Sequence, residues 1–263
     1  MRALVVIPSR LGSTRLPRKA LADIHGQPMI ARVVQAVLRS PGVGRVVVAT
    51  DHESIAAAAR AAGAEAVMTD PALPSGTDRV AVAVRALGDD SPIVVNVQGD
   101  EPLLPPLAIS RVIGALGRDA AADMATLGSP LMHTDLLDLN RVKVVASPAM
   151  RALYFSRAPI GVSRAAIDEA RASPERVREV ALGVRTSWRH MGIYGFRREA
   201  LFRYVGLPPS PLELVEGLEQ LRALEAGMHI ALAEIEAAHR GVDTLDDLLA
   251  VREEFLRAHV SAG

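Results

Sequence analysis

The sequence predicts an α/β fold built on a mainly parallel sheet with an antiparallel extension. Three observations predict it. Short apolar runs alternate with amphipathic stretches through the first half, and those runs are apolar at successive positions rather than at every second one. After about residue 124, strand-like runs follow one another too closely for helical crossovers.

The chain opens with ALVVI, and a helix follows with Ile30, Val33, Val34, Val37 and Leu38 at i, i+3, i+4 spacing. RVVVAT, an alanine-rich helix from about residue 53, the run EAVM, a helix after Thr77 and IVVNV at 93–97 continue the rhythm. Strands apolar on both faces must be covered on both, so helices lie on either side of the sheet. MATLGSP, VKVVAS and ALYFS then read as antiparallel additions or hairpins. Residues 161–188 carry many charges without strong periodicity and read as a flexible or partly helical excursion. HMGIYGF resumes the strands, followed by helices from about 197 and 211, a strand near 228–235 and a closing helix after Thr244. Residues 1–263 read as one domain, with an excursion at about 124–190 inside it.

With 263 residues the chain can bury a large core. Thirty basic and thirty acidic residues cancel, so the overall charge attracts neither nucleic acid nor an anionic membrane, and any anion must be met by a local cluster. The chain has no cysteine, which excludes a disulfide scaffold, a thiol nucleophile and cysteine metal sites; it suits a reducing, cytoplasmic setting. Aromatic residues, at 3%, are too few for rows of rings stacking on single-stranded nucleic acid. The first apolar segment is too short for a signal peptide, and no apolar stretch approaches the roughly 20 residues that span a bilayer. A soluble protein with a small-molecule site is the expectation.

A local cationic cluster is present. VVIPSRLGSTRLPRKAL sets Arg10, Arg15, Arg18 and Lys19 directly after the first strand, and in open α/β sheets ligands bind beyond the carboxyl ends of the strands. Gly12 and Ser13 allow close backbone approach, while Arg10, Arg15 and Lys19 can converge on a triphosphate. A solvated basic loop paired with neighbouring carboxylates is the plainer alternative. Neither G-K-[ST] nor G-x-G-x-x-G occurs here, so phosphate binding would rest on another pattern.

IVVNVQGDEPLLPP ends its strand with Gln98, Gly99, Asp100 and Glu101. A carboxylate at that position, opposite a phosphate cradle, suits a hard cation such as Mg²⁺; it equally suits a turn or a helix cap. In HRGVDTLDDL, Asp243 precedes a helix start, and the spacing favours capping by Thr244 and Asp247. PSGTDRV reads from its residues as a turn and helix start.

Three stretches together, IPSRLGSTRLPRKALADIHGQPMI, SGTDRVA with VVNVQGDEPL, and RHMGIYGFRREAL with LPPSPLELVEGLEQLRALEAG, closely resemble the 3-deoxy-manno-octulosonate (Kdo) cytidylyltransferases. The likeness covers almost the whole chain. The N-terminal loop is shared with CMP-sialic acid synthetases, whereas SPLELVEGLEQLR and the histidine and tyrosine of RHMGIYGF are more characteristic of the Kdo branch. The resemblance implies a Rossmann-like nucleotidyltransferase fold with a sugar-binding and dimerisation extension at about 124–190. It implies transfer of CMP from CTP to Kdo, with pyrophosphate released and CMP-Kdo supplied for lipopolysaccharide biosynthesis by a cytoplasmic homodimer.

Residue by residue, the resemblance gives Arg10, Arg15 and Lys19 to the CTP phosphates, Ser75, Gly76 and Arg79 to cytosine, and Pro8 and Ser9 to the nucleotide site with them. It gives Gln98, Arg157, His190, Tyr194, Glu213 and Glu216 to Kdo. Asp100 and Asp243 would share one Mg²⁺, a second ion would sit on the outer phosphates, and Arg10, Arg15, Lys19 and Asp100 would carry catalysis. Plain readings stand beside these: Tyr194 as a strand residue, His190 as a satisfied core or surface histidine, and both glutamates as a solvated helix face.

Two departures from the family pattern stand out. RLPRKAL replaces R-L-P-G-K-P-L, so Arg18 takes a glycine position and Ala20 a proline position; if that glycine has positive φ, Arg18 must alter the local geometry. The residues after SRAPI also lack P-x-D-R. Nucleotide choice is therefore better specified than sugar choice. The competing expectations are the same chemistry on a sialic acid or amino-Kdo, a noncatalytic nucleotide sensor, and a nucleic-acid binder using the basic loop.

Overall fold

The computed structural model describes residues 2–13, 15–172, 186–236 and 240–260. The chain begins β1 (Ala3–Ser9), α1 (Met29–Leu38), β2 (Val43–Thr50), α2 (Glu53–Ala61), β3 (Glu65–Met68), α3 (Gly76–Leu87), β4 (Ile93–Asn96) and α4 (Ala108–Arg118). These strands are parallel, in the spatial order β3, β2, β1, β4. Alternation along β1 explains its complete burial. Val5 and Ile7 join Ile30, Val33, Val34 and Val37 of α1 in one core layer, while Leu4 and Val6 join Val80, Ala81 and Val84 of α3 in the other. Leu38, expected on the buried stripe of α1, is 46% exposed at the helix end.

The helix α4 has no counterpart in the sequence reading. Gly114 and Gly117 lower its helix propensity, yet Ile109, Val112, Ile113 and Leu116 keep i, i+3, i+4 spacing and are buried.

The second half contains β5 (Met124–Pro130), α5 (His133–Leu136), β6 (Lys143–Ala146), β7 (Ala152–Ser156), α6 (Arg164–Ala172), β8 (Ser187–Arg197), α7 (Arg198–Val205), α8 (Pro211–Glu216), α9 (Leu221–Glu225), β9 (Ile230–Glu234) and α10 (Leu245–Val260). The main sheet extends beyond β4 in the order β8, β5, β9. β8 opposes the other main-sheet strands: it is antiparallel to β4 and β5, and its start also pairs with β6. MATLGSP is thus antiparallel to one neighbour but parallel to the other, β9. The β6–β7 hairpin is antiparallel, as its close spacing suggests. Of the expected excursion, 164–172 form α6, and 173–185 lie outside the described residues. The helix expected from about 211 is two short ones, because Gly217 takes a left-handed conformation (φ 64°) that ends α8.

Pairing between β5 and β8 slips once: Thr126 faces Tyr194 but Leu127 faces Met191, so Gly192 and Ile193 loop out. Residues four apart on a regular strand are separated by about 13 Å. The slip brings the His190 and Tyr194 rings to 5.7 Å between centroids. Among the described residues, no helix is long and apolar enough to cross a membrane.

Candidate active site

Beyond the carboxyl ends of β1 and β4 lies a cavity of about 320 Å³. Pro8, Ser9, Arg10, Arg15 and Lys19 line it from the first loop, and Ser75, Gly76 and Arg79 from the start of α3. Gln98 and Asp100 line it from the loop after β4, and Asp243 from the approach to α10. Gly99 lets the two loops meet closely, since a Cβ there would lie 3.0 Å from the Pro8 carbonyl oxygen. The loop is anchored at its start, where Leu11 N–H donates to Asp51 Oδ1 at 2.9 Å.

Arg18 meets the positive-φ condition without being glycine. It takes the left-handed conformation itself, at φ 55° and ψ 31°, and the 3-10 turn Lys19–Leu21 follows. That turn sets Lys19 Nζ 2.5 Å from Asp100 Oδ2 and 3.1 Å from Asp243 Oδ1. Arg15 Nη2 donates to the same Asp243 oxygen at 3.0 Å, and Val242 N–H donates to the Asp100 carbonyl at 2.9 Å. Burial would lower the Lys19 pKa, but the two carboxylates outweigh it and hold the ammonium above its usual value.

The capping expected of the acidic turn is present, on Thr244 and Asp247. Asp247 Oδ2 accepts from Thr244 N–H at 3.0 Å and Asp243 N–H at 3.2 Å, while Thr244 Oγ1 caps Asp247 N–H at 3.2 Å. The cap leaves the Asp243 carboxylate to the cavity. Ser75 likewise caps α3, accepting from Asp78 N–H at 3.1 Å, and also lines the cavity. Arg79 is buried, donates to Thr69 Oγ1 and lies 3.9 Å from Asp51.

A second cavity of about 550 Å³ adjoins the first and shares Arg15, Asp100 and Asp243 with it. Arg157, His190 and Tyr194 line this one, whereas Gln98, grouped with them by the resemblance, lines the first. His190 Nε2 is 2.9 Å from Thr126 Oγ1, and Phe155 stacks edge-on to its ring at 4.9 Å. Burial pushes its pKa down to about 3, so the imidazole is neutral at neutral pH. Glu213 and Glu216 serve other partners. Arg222 holds Glu213 through two bonds of 2.7 and 2.5 Å, and Glu213 Oε2 accepts from Ser210 N–H at 3.1 Å. Glu216 accepts from Ser156 Oγ at 2.7 Å and from the Arg157 N–H at 3.0 Å.

Sequence reasoning missed Gln220. It lines the second cavity at 2% exposure, its Oε1 accepts from Tyr194 OH at 3.0 Å, and its Nε2 is buried with no protein partner. The signal was its place in the LEQLR segment, whose resemblance was noted without singling it out. Also missed was Lys143, fully buried in β6, whose Nζ donates to the carbonyls of Asp138, Arg141 and Arg157 at 2.7, 2.8 and 2.7 Å. A lysine inside VKVV gives no sequence signal of three waiting carbonyls.

A cation-lined cavity at the carboxyl ends of parallel strands is where this fold class binds its ligand, and its junction through an acidic pair with a second polar cavity suits a nucleotidyltransferase. The family model for cytidylyltransferases matches residues 4–230. The 3-deoxy-manno-octulosonate cytidylyltransferase of Anaeromyxobacter dehalogenans (strain 2CP-C) is 47% identical over 259 residues, covering 98% of each chain. That of Parvibaculum lavamentivorans is 46% identical over 264 residues, covering 98% of this chain and 94% of that protein. A solved CMP:2-keto-3-deoxy-manno-octonic acid synthetase complexed with CTP matches at TM-score 0.84 and 36% identity, over 98% of this chain and 100% of that one. The chain belongs to the cytidylyltransferase family, in its 3-deoxy-manno-octulosonate branch.

Two outcomes follow from the site's backbone and burial. Arg18→Gly should raise stability by about 0.5–1 kcal/mol, the left-handed penalty of an L-residue less the unfolded-state freedom of glycine. Urea unfolding checks it, and a lower midpoint for the variant would contradict it. His190, depressed from about 6.5 to about 3, binds protons more readily in the unfolded chain. Its contribution is therefore present above pH 6.5 and lost as pH falls toward 3. Between pH 6.5 and 4.5 the wild type should lose about 1–2 kcal/mol more than His190→Asn. Parallel stability curves across that window would refute the neutral imidazole.

Proposed function

We propose that this chain transfers CMP from CTP to Kdo, releasing pyrophosphate and yielding CMP-Kdo for lipopolysaccharide assembly in the cytoplasm. One observation carries the reading: two cavities of different character share Arg15, Asp100 and Asp243 as a common wall. Group transfer needs two ligands to meet at such a junction.

In the first cavity, Ser75, Gly76 and Arg79 bind cytosine, and a purine is excluded by size and hydrogen-bond pattern. Arg10, Arg15 and Lys19 bind the triphosphate and stabilise charge that grows on its nonbridging and leaving oxygens. In the second cavity, Arg157 meets the sugar acid's carboxylate, while neutral His190, Tyr194 and the Gln220 amide orient its hydroxyls. The anomeric 2-hydroxyl then attacks the α-phosphorus in line, and pyrophosphate leaves.

Asp100 and Asp243 fit a divalent cation: two hard carboxylate oxygens already converge on one positive atom, Lys19 Nζ. Those two residues would hold Mg²⁺, which when bound supplies charge neutralisation and a lowered pKa for an adjoining hydroxyl. With both carboxylates so neutralised, Lys19 is available to the phosphates. A homodimer belongs to this reading. Exposed Leu153 on β7 and Leu214 and Val215 on α8 support it, as large apolar side chains left uncovered in the single chain.

Pyrophosphate release by purified protein with Mg²⁺, each of four nucleoside triphosphates and a panel of sugar acids tests the reading. CTP with Kdo should far exceed every other pair. Preference for a sialic acid or amino-Kdo would correct the sugar, and CTP binding without turnover on any acid would leave a nucleotide sensor. Asp100→Asn and Asp243→Asn should each lower turnover by roughly two orders of magnitude or more without unfolding the chain, and the double variant should be scarcely worse. Near-normal Mg²⁺-dependent turnover of Asp243→Asn would remove it from the metal site.

A further inference from the structure

Arg157 is held at four points. Its N–H donates to Glu216 Oε2 at 3.0 Å, and its carbonyl accepts from Lys143 Nζ at 2.7 Å. Its Nε donates to the Glu216 carbonyl at 3.0 Å and its Nη1 to the Leu139 carbonyl at 3.1 Å. Among the described residues, Nη2 is the guanidinium nitrogen left without a protein acceptor, and Arg157 lines the second cavity.

Lys143 controls two of those four points. It binds the Arg157 carbonyl directly, and its other two bonds go to Asp138 and Arg141, the residues that bracket Leu139. Asp138, Asn140 and Arg141 form one wall of the same cavity. Three acceptors at 2.7–2.8 Å need three N–H bonds, so the bound form is the ammonium. Burying that charge is costly unless every donor is satisfied. Here the three carbonyl dipoles satisfy it, and they can do so only while the segment 138–141 and the end of β7 keep their present separation.

We infer that Lys143 is the positioning residue of the sugar-acid half of the site: its buried ammonium fixes the wall at 138–141 against Arg157 and so aims the free edge of the guanidinium into the cavity. Lys143 itself touches no ligand. The inference rests on the reading that Arg157 meets a sugar acid, and it adds that the recognition is set from behind by a residue outside the cavity.

Steady-state kinetics on the full chain separates this role from a general contribution to stability. Lys143→Met keeps the stem and removes the three donors. It should raise KM for Kdo about tenfold or more while KM for CTP stays within about threefold. Lys143→Gln, with two donors, should fall between it and the wild type. In an Arg157→Ala background, Lys143→Met should add little further to KM for Kdo, because both changes disable one contact. Equal rises in both KM values, or full additivity with Arg157→Ala, would overturn the inference. So would failure of both Lys143 variants to fold, which would assign the residue to the core. The wild type assayed alongside distinguishes the two levels: no pyrophosphate from CTP and Kdo removes the underlying reading, whereas normal wild-type turnover with unselective variants removes only the role of Lys143.

Discussion

Two carboxylates sharing one ammonium is the arrangement on which the site depends. Asp100 follows β4, Asp243 precedes α10, and Lys19 leaves the first loop, so three distant segments converge on Nζ. A pair of unit charges about 4 Å apart gains roughly 4 kcal/mol at the effective dielectric near a protein surface, and desolvation consumes much of that. The triad therefore contributes register more than stability. The Val242 N–H bond to the Asp100 carbonyl is the neutral counterpart that keeps the two acidic segments adjacent. Because the acidic pair borders both cavities, its register also sets how the cavities face each other.

The parallel half of the fold was legible because burial on both faces confines polar residues to the strand ends, and β1, β2 and β4 announce themselves as VV-rich runs. Helices that contain glycine were less so. α4 is a regular amphipathic helix whose two glycines hide it, and Gly217 breaks what reads as one helix into α8 and α9. Propensity and periodicity disagreed at both places; periodicity decided the first and a left-handed glycine the second.

Much of the first cavity could be read from sequence, since its residues lie in continuous motifs at strand ends. Asp243 was ambiguous for a physical reason. The turn carries several acidic side chains, and spacing identifies a cap without saying which carboxylate is left over. The second cavity was harder because its walls act in layers. Glu216 holds Arg157 from behind, Glu213 is taken by Arg222, and Lys143 works through carbonyls that no motif records. Resemblance groups residues by segment, but it does not separate those that line a cavity from those that hold the lining in place.

The reversed strand explains how two ligand cavities fit at one end of a single sheet. β4 stops at Asn96, opposite Tyr194, so the preceding residues of β8 extend past β4 on the side where the two cavities lie, flanked there by β5 and β6. Running antiparallel to β4, β8 enters from that side and carries Arg189 and His190 across this extension before it joins β4. β6 pairs with this extension and stiffens it, and Lys143, the residue of β6 opposite Arg189, sends its ammonium to the neighbouring wall. The slip at Gly192 and Ile193 then folds His190 back toward Tyr194, whose hydroxyl fixes Gln220. Strand direction, one bulge and one buried charge together convert one end of the sheet into a pocket beside the first loop.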